Sequence, residues 1–203
     1  MDIEIRLETE ADHREVERIT RDAFWDLYKP GCDEHLILHK MRSLPSFVRE
    51  LDFVACVDGR VAGSIVYSLA QVTADDGTDH KVLCMGPLSV VPSLQKSGLG
   101  SRLNIHSLDR ARELGFRGVV IFGSPVYYHR FGYRNAAQYG IKTSDGLNFD
   151  PFMALELRPG SLNGVSGRFH EDPVFRTDPR ELDEFEKEFP YREKHVTDTQ
   201  LHI

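Results

Sequence analysis

Six consecutive residues, Gln95-Lys96-Ser97-Gly98-Leu99-Gly100, have the types and spacing to bind a phosphate. They follow an apolar run, Val82 to Val90, that reads as a strand, and they precede Ser101 to Leu114, which reads as a helix. The first four N–H groups of a helix have no internal partner, and the helix dipole is positive at that end. Glycines at two points let a phosphate approach the bare backbone. The stretch is not a Walker A loop, because it lacks the Gly-Lys-Ser/Thr ending that places a lysine and a magnesium ligand. Nor is it G-x-G-x-x-G, and no βαβ unit opens the chain. The spacing is Gln-x-x-Gly-x-Gly, and it predicts a phosphorylated ligand.

Other residues that can move protons are scattered. Tyr128 lies in Tyr127-Tyr128-His129-Arg130-Phe131-Gly132-Tyr133. A phenol with a pKa near ~10 can act as a general acid. Glu34, His35 and His39 sit at and after the start of a short helix, where Glu34 and His35 read first as a solvated face. The nine histidines show no H-E-x-x-H or other ligand spacing, so no metal is expected. Cys32, Cys56 and Cys84 form no C-x-x-C pair and read as reduced thiols, with Cys84 a packed small residue on a core strand.

The elements around the loop supply its context. Upstream lies Gly86-Pro87-Leu88-Ser89-Val90-Val91-Pro92, and downstream Ala111 to Phe116 reads as a helix end with Gly115 just past it. Gly118 to Gly123 is a short buried strand. With these flanks, the loop resembles the acyl-CoA pyrophosphate loop of the GNAT (Gcn5-related N-acetyltransferase) superfamily. Gly86 to Pro92 is similar to the family's fourth strand and its exit. Tyr127 to Tyr133 resembles the family's Tyr-x-x-x-Gly-Phe ending of helix four. Its Pro-x-Tyr-Tyr-x-Arg-Phe-Gly-aromatic form is similar to a YhbS-like bacterial subgroup. The resemblance is dense from about Val82 to Tyr133 and looser elsewhere.

The resemblance implies an α/β (α+β) GNAT fold, with a mixed central sheet, splayed strands four and five, and helices on both faces. It implies acetyl-CoA as co-substrate, and transfer of the acetyl group to a primary amine of a small molecule or protein by direct attack on the thioester. It places the pantetheine contact at Leu88, Ser89 and Val90, where a backbone N–H polarises the thioester carbonyl. It places the pyrophosphate at Gln95, Lys96, Ser97, Gly98, Leu99, Gly100 and Ser101, and a further cofactor contact at Ser124. Related loops often read Gln-Gly-Lys/Arg-Gly-x-Gly; here the cation is Lys96 at the second place and Ser97 holds the third. Tyr128 takes the place of the general acid. The region between the first two helices lines the acceptor site, which makes Glu34 the candidate base or acceptor contact. Two other readings of the loop stay open: a non-catalytic acyl-CoA-binding module of the same fold, and a nucleotide-phosphate binder.

Composition narrows the partners. The chain of 203 residues is 40% hydrophobic, enough to bury a core as one domain. Lys+Arg is 25 against 32 Asp+Glu, a net charge of −7, which argues against a nucleic-acid surface. No apolar run reaches the ~20 residues of a membrane span, and the acidic start does not read as a signal peptide, so none is expected. A cytoplasmic enzyme that takes an amine acceptor, without nucleic acid or membrane, is expected; a homodimer is compatible with this fold.

Along the chain, Ile3, Ile5 and Leu7 alternate as a strand. Thr9 reads as the N-cap of a helix carrying Val16, Ile19, Ala23 and Leu27. A second helix runs from about Asp33 to Ser43. Phe53 to Val57 and Val61 to Leu69 are strands joined by Asp58-Gly59, a type I′ hairpin signal. Ala137 to Lys142 and Phe152 to Leu157 read as strands, a polar stretch follows Pro159-Gly160, and Asp178-Pro179 opens a last helix to about Phe189. A core of about 1–145 and a C-terminal extension of about 146–203, with extra strands and a helix, are expected within one domain.

Overall fold

The computed structural model describes residues 2–200. The elements are β1 (Ile3–Leu7), α1 (His13–Phe24), α2 (Glu34–Met41), β2 (Phe53–Val57), β3 (Arg60–Thr73), β4 (Asp79–Val90), α3 (Leu99–Glu113), β5 (Gly118–Phe122), α4 (Pro125–Tyr128), β6 (Arg134–Asn135), β7 (Ile141–Lys142), β8 (Phe152–Glu156), β9 (Gly167–His170) and α5 (Pro179–Glu186). The strands form one mixed sheet of nine, in the order β1-β2-β3-β4-β5-β8-β6, with β9 pairing to β3 and β7. The β4–β5 and β7–β9 pairs are parallel, whereas β1–β2, β2–β3, β5–β8 and β6–β8 are antiparallel.

Local chemistry explains the turns. Asp58 and Gly59 both take positive φ, 48° and 79°, which a type I′ turn demands. This turn sets the β2–β3 register from Val57↔Arg60 onward. Helix α3 ends on Gly115 at φ 84°. There the Phe116 N–H reaches the Ala111 carbonyl and the Gly115 N–H reaches Arg112, the paired bonds of a Schellman cap. Asp178 accepts from the Arg180 N–H at 2.8 Å and Pro179 fills the first helical position of α5.

Four expectations need correction. Thr9 caps a 3-10 turn, Glu10–Asp12, and α1 itself starts at His13 and stops at Phe24. The Thr9 hydroxyl and backbone N–H both donate to the Asp12 carboxylate, at 2.7 and 2.9 Å. Ala137 to Lys142 is not one strand: Ala136–Tyr139 is a 3-10 turn, Gly140 turns the chain at φ 73°, and only Ile141–Lys142 pairs. Strand β9 arises in the stretch that reads as merely polar, because its Phe169 is buried on pairing opposite Val72 of β3.

Contacts divide the chain into two compact units. The first holds residues 2–66, 87–104 and 173–200; the second holds 67–86 and 105–172. In the first, Val16, Leu38, Met41, Val54 and Val66 form the apolar core. Beside it sits a buried ion cluster. Arg42 donates to Glu17 at 2.8 Å and also to Glu8, and Glu17 meets His39 at 2.8 Å. Burial and the neighbouring Glu8 push the Asp52 carboxyl up to about 9. In the second unit, Tyr67, Leu83, Ile121, Tyr133 and Phe152 are fully buried. Cys32, Cys56 and Cys84 are buried free thiols. Among the described residues, no helix is long and apolar enough to cross a membrane, and no three His, Cys, Asp or Glu side chains gather to hold a metal ion.

Candidate active site

The glycine loop takes its shape from the strand that leads into it. β4 ends at Val90, a 3-10 turn spans Pro92–Leu94, and α3 begins at Leu99. The Gln95 side chain donates to the Val90 carbonyl at 3.3 Å, which ties the loop back to the strand end. Lys96 adopts φ 63° and Gly98 adopts φ 91°. Gly98 closes the loop as N-cap, its carbonyl accepting from the Arg102 N–H at 3.1 Å. The N–H groups just before Arg102 belong to the first turn and have no helical acceptor. A Cβ built on Gly98 would meet nothing within 4 Å, so the space beside Gly98 at the helix start is open. Leu99, only 2% exposed, anchors the first turn in the protein while Gln95, Lys96 and Ser97 stay exposed. Gly63 of β3 allows the close approach beneath, because a Cβ there would lie 2.8 Å from the Ser89 carbonyl and 3.2 Å from Leu103.

The strand before the loop is opened on one edge. The parallel ladder between β4 and β5 holds two pairs only, Leu83↔Val119 and Cys84↔Val120. It stops where Gly86 takes φ 141° and Pro87 lacks an N–H. A Cβ on Gly86 would also meet open space. β5 instead pairs along its whole length with β8. The Ser89 side chain points inward: its hydroxyl lies 3.0 Å from those of both Thr20 and Ser64, and the residue is buried. Ser89 can therefore offer a ligand only its backbone. Its neighbours Leu88 and Val90, on the opposite face of the strand, are half-buried.

The second unit places Ser124 and Tyr128 at the two ends of α4. Ser124 is exposed, and its carbonyl accepts from the N–H groups of Tyr127 and Tyr128, both at 3.0 Å. The half-buried Tyr128 ring packs on Gly123, where a Cβ would lie 2.4 Å from it. Tyr127 meets it edge-on at 4.8 Å and Tyr133 at 5.5 Å. Any side chain at position 123 would displace the Tyr128 ring.

Three acid–base candidates lie on α2, and the structure separates them. Burial raises the Glu34 carboxyl to about 7, helped by the charge of Asp33, while its Oε2 accepts from the Asp33 N–H at 3.1 Å. His35 is not on a solvated face: it is 0% exposed, and its Nε2 lies 2.7 Å from Glu186 Oε1. Burial alone would raise Glu186, but the close His35 ring and the hydrogen bonds from Arg21 outweigh it and hold the carboxyl near 2. Phe185 and Phe189 pack on the His35 ring. His39 is held by Glu17. The Cys32 thiol lies 3.5 Å from His35 Nδ1, and burial pushes it far above the thiol range, so it is no nucleophile. The clamp on His35 comes from α5, and no sequence signal links residue 186 to residue 35.

A mixed sheet with a short parallel ladder, and a glycine loop that leads from one of its strands into a helix, is the architecture of the GNAT acyltransferases. The chain belongs to that family: residues 16–133 match the acetyltransferase (GNAT) family. It is 30% identical over 170 residues to the N-acetyltransferase YhbS of Escherichia coli K12, covering 82% of this chain and 96% of that one. The crystal structure of E. coli YhbS, solved in complex with CoA, superposes with a TM-score of 0.76 at 27% identity, covering 86% of this chain and 92% of that one. A GNAT acetyltransferase from Brucella melitensis, in complex with acetyl-CoA, gives 0.70 at 26% identity, with 86% and 98% covered. The GNAT fold and the acyltransferase class expected from the loop are those found.

Proposed function

We propose that the protein transfers the acetyl group of acetyl-CoA to a primary amine of a small molecule or protein. The observation that carries this reading is the open space over Gly98 at the start of α3, at the end of a strand whose ladder has just stopped. The pyrophosphate is assigned to the backbone of Gln95 to Ser101, with charge-assisted bonds from the first-turn N–H groups. Backbone groups of Leu88, Ser89 and Val90 are assigned to the pantetheine arm and the thioester oxygen, and Ser124 to a further contact.

Chemistry at the thioester needs a neutral amine. A carboxyl near 7, as at Glu34, is suited to take a proton from an ammonium acceptor at neutral pH. The amine nitrogen forms the C–N bond as the C–S bond breaks. Tyr128 then gives its proton to the leaving thiolate. The reduced, buried cysteines support a cytoplasmic setting.

The test is a panel of amines (polyamines, aminoglycosides, amino acids and N-terminal peptides) with acetyl-CoA, read as thiol release, beside calorimetric titration of CoA and of ATP. Tight CoA binding with turnover of one amine class is expected. Binding without turnover of any amine would reduce the protein to an acyl-CoA sensor, and tighter binding of ATP would remove the assignment.

A further inference from the structure

The chain between α1 and α2 is held by residues far away in sequence. Helix α1 stops at Phe24, and Asp26 takes φ 59°, a left-handed backbone that aspartate accepts more readily than most residues. The Asp26 N–H donates to the Gly31 carbonyl at 2.9 Å, and the Gly31 N–H donates back to Asp26 Oδ1 at 2.7 Å. These two bonds close residues 26–31 into a turn. What remains of Asp26 is taken by residues 195–200. The His195 N–H donates to Asp26 Oδ1 at 3.0 Å, and the His195 ring Nδ1 lies 3.1 Å from Oδ2. The Thr197 hydroxyl and the Gln200 amide both donate to the Asp26 carbonyl, at 2.8 and 3.1 Å. On either side, the Trp25 ring N–H donates to the Glu193 carbonyl at 3.0 Å, and the Thr199 hydroxyl to the Leu27 carbonyl at 2.6 Å.

Residues 193–200 thus form a strap across the turn, with Asp26 as its main attachment. The strap is largely exposed, so hydrogen bonds rather than apolar burial hold it. The turn leads directly to Glu34. Lys29 pairs with the Asp33 carboxylate, which also accepts from the Thr177 hydroxyl at 2.6 Å. The Asp33 N–H donates in turn to Glu34 Oε2 at 3.1 Å. Tyr28, Lys29, Cys32 and Asp33 are the titratable groups that face Glu34, and all four lie on this connection.

We propose that Asp26 is a positioning residue: it couples residues 193–200 to the turn 26–31 and so fixes the connection on which Glu34 stands. The consequence for catalysis rests on the reading of Glu34 as the base; the coupling itself does not. With the strap seated, the turn is closed and Glu34 meets one fixed set of neighbours. With the strap released, the turn opens, its residues shift against Glu34 and water reaches the carboxyl.

The experiment is a carbon-13 NMR titration of the Glu34 side-chain carboxyl, assigned by its loss in Glu34→Gln. In the unmodified protein it should titrate near 7. In Asp26→Ala it should fall by about one unit or more toward the ordinary ~4.3, because water then solvates the charged form. Asp26→Asn keeps an oxygen for the Gly31 N–H and accepts the same φ, so it should retain most of the parent value. Thr197→Val combined with Gln200→Ala removes two bonds to the Asp26 carbonyl and leaves the turn's own sequence intact. This double variant should shift Glu34 in the same direction, and it carries the test where Asp26→Ala does not fold. Trp25 is the one tryptophan of the chain, and its emission should move to the red as the strap lets go. With an active amine, the acid limb of kcat/KM should move down with the carboxyl and KM for the amine should rise, while Kd for CoA holds. A merely structural role would lower the melting temperature and leave the carboxyl in place. A Glu34 carboxyl unmoved in the double variant overturns the proposal, whatever the melting temperature does. The titration requires no turnover, so it is separable from the base assignment: a kcat/KM limb kept in Glu34→Gln would remove the base while the shift between parent and variants still stood.

Discussion

Gly98→Val should separate binding from folding. At φ 91° an L side chain sits in the left-handed region, which costs roughly 1–2 kcal/mol. Beyond its chain neighbours, nothing lies within 4 Å of the added Cβ. For a domain of this size, about 1 kcal/mol moves Tm by roughly 2–4 °C, so a loss of about 2–8 °C is expected. The cost to the ligand is larger. The isopropyl group would occupy the space over the first-turn N–H groups, and each charge-assisted bond lost is worth about 1.5–3 kcal/mol. Loss of two such bonds raises Kd by about two orders of magnitude or more. Gly115→Val is the matched control: its φ is 84°, its Cβ also meets nothing within 4 Å, and it lies at the other end of the same helix. Calorimetric titration of CoA on both variants, with melting curves alongside, decides the matter. Equal melting losses with Kd changed only in Gly98→Val are expected. If Kd is unchanged there, or changes equally in both, the pyrophosphate does not sit over α3.

Other perturbations probe the remaining groups. Tyr128→Phe removes one proton and keeps the ring; kcat should fall by about 10² to 10⁴ with CoA affinity unchanged, and a full rate would assign the donor elsewhere, with Tyr127 next to test. Glu34, raised to about 7, is active as a base only when ionised, so kcat/KM should climb with pH through that value; Glu34→Gln should flatten that limb, and a profile that keeps its limb removes Glu34 from the proton path. The Asp52 carboxyl is held above its unfolded pKa by burial and Glu8, so the folded state keeps a proton that the unfolded chain releases. Stability contributed there is present below about 4 and is lost as pH rises toward about 9. Asp52→Asn should therefore melt progressively higher than the parent as pH rises across that window, and a pH-independent difference would contradict the raised Asp52 carboxyl.

Much of this protein is legible in its sequence because its decisive features are local. Asp58-Gly59, Gly115 and Gln95 to Gly100 each fix backbone geometry within a few residues, and the structure follows them. What fails depends on distance. The clamp on His35 comes from Glu186, and the strand at Gly167–His170 exists only because β3 offers it an edge. The run from Ala137 to Lys142 is apolar enough for a strand, yet Gly140 breaks it after one 3-10 turn. Periodicity reports which residues prefer burial, not which partner will bury them. Lys96 lies between these cases: its place in the motif is readable, but its φ of 63° is not. That angle explains why glycine suits the same place in related loops, since a lysine there carries the steric cost of left-handed backbone.

The two-rung ladder between β4 and β5 has a consequence for the protein at rest. Folded proteins usually confine raw strand edges to their periphery and guard them with charge, proline or a covering loop. Here the sheet has an edge in its middle, because the pairing between β4 and β5 ends after Cys84 and Val120. A seam of that kind accepts any extended chain that can complete it, including a stray peptide or a slipped strand. Pro87, which cannot donate a bond at that point, is a built-in guard against such an intruder. A molecule threaded into the seam would act as a zip: of the Met85 and Gly86 N–H groups, the one that points away from β3 should exchange briskly without it and slowly with it.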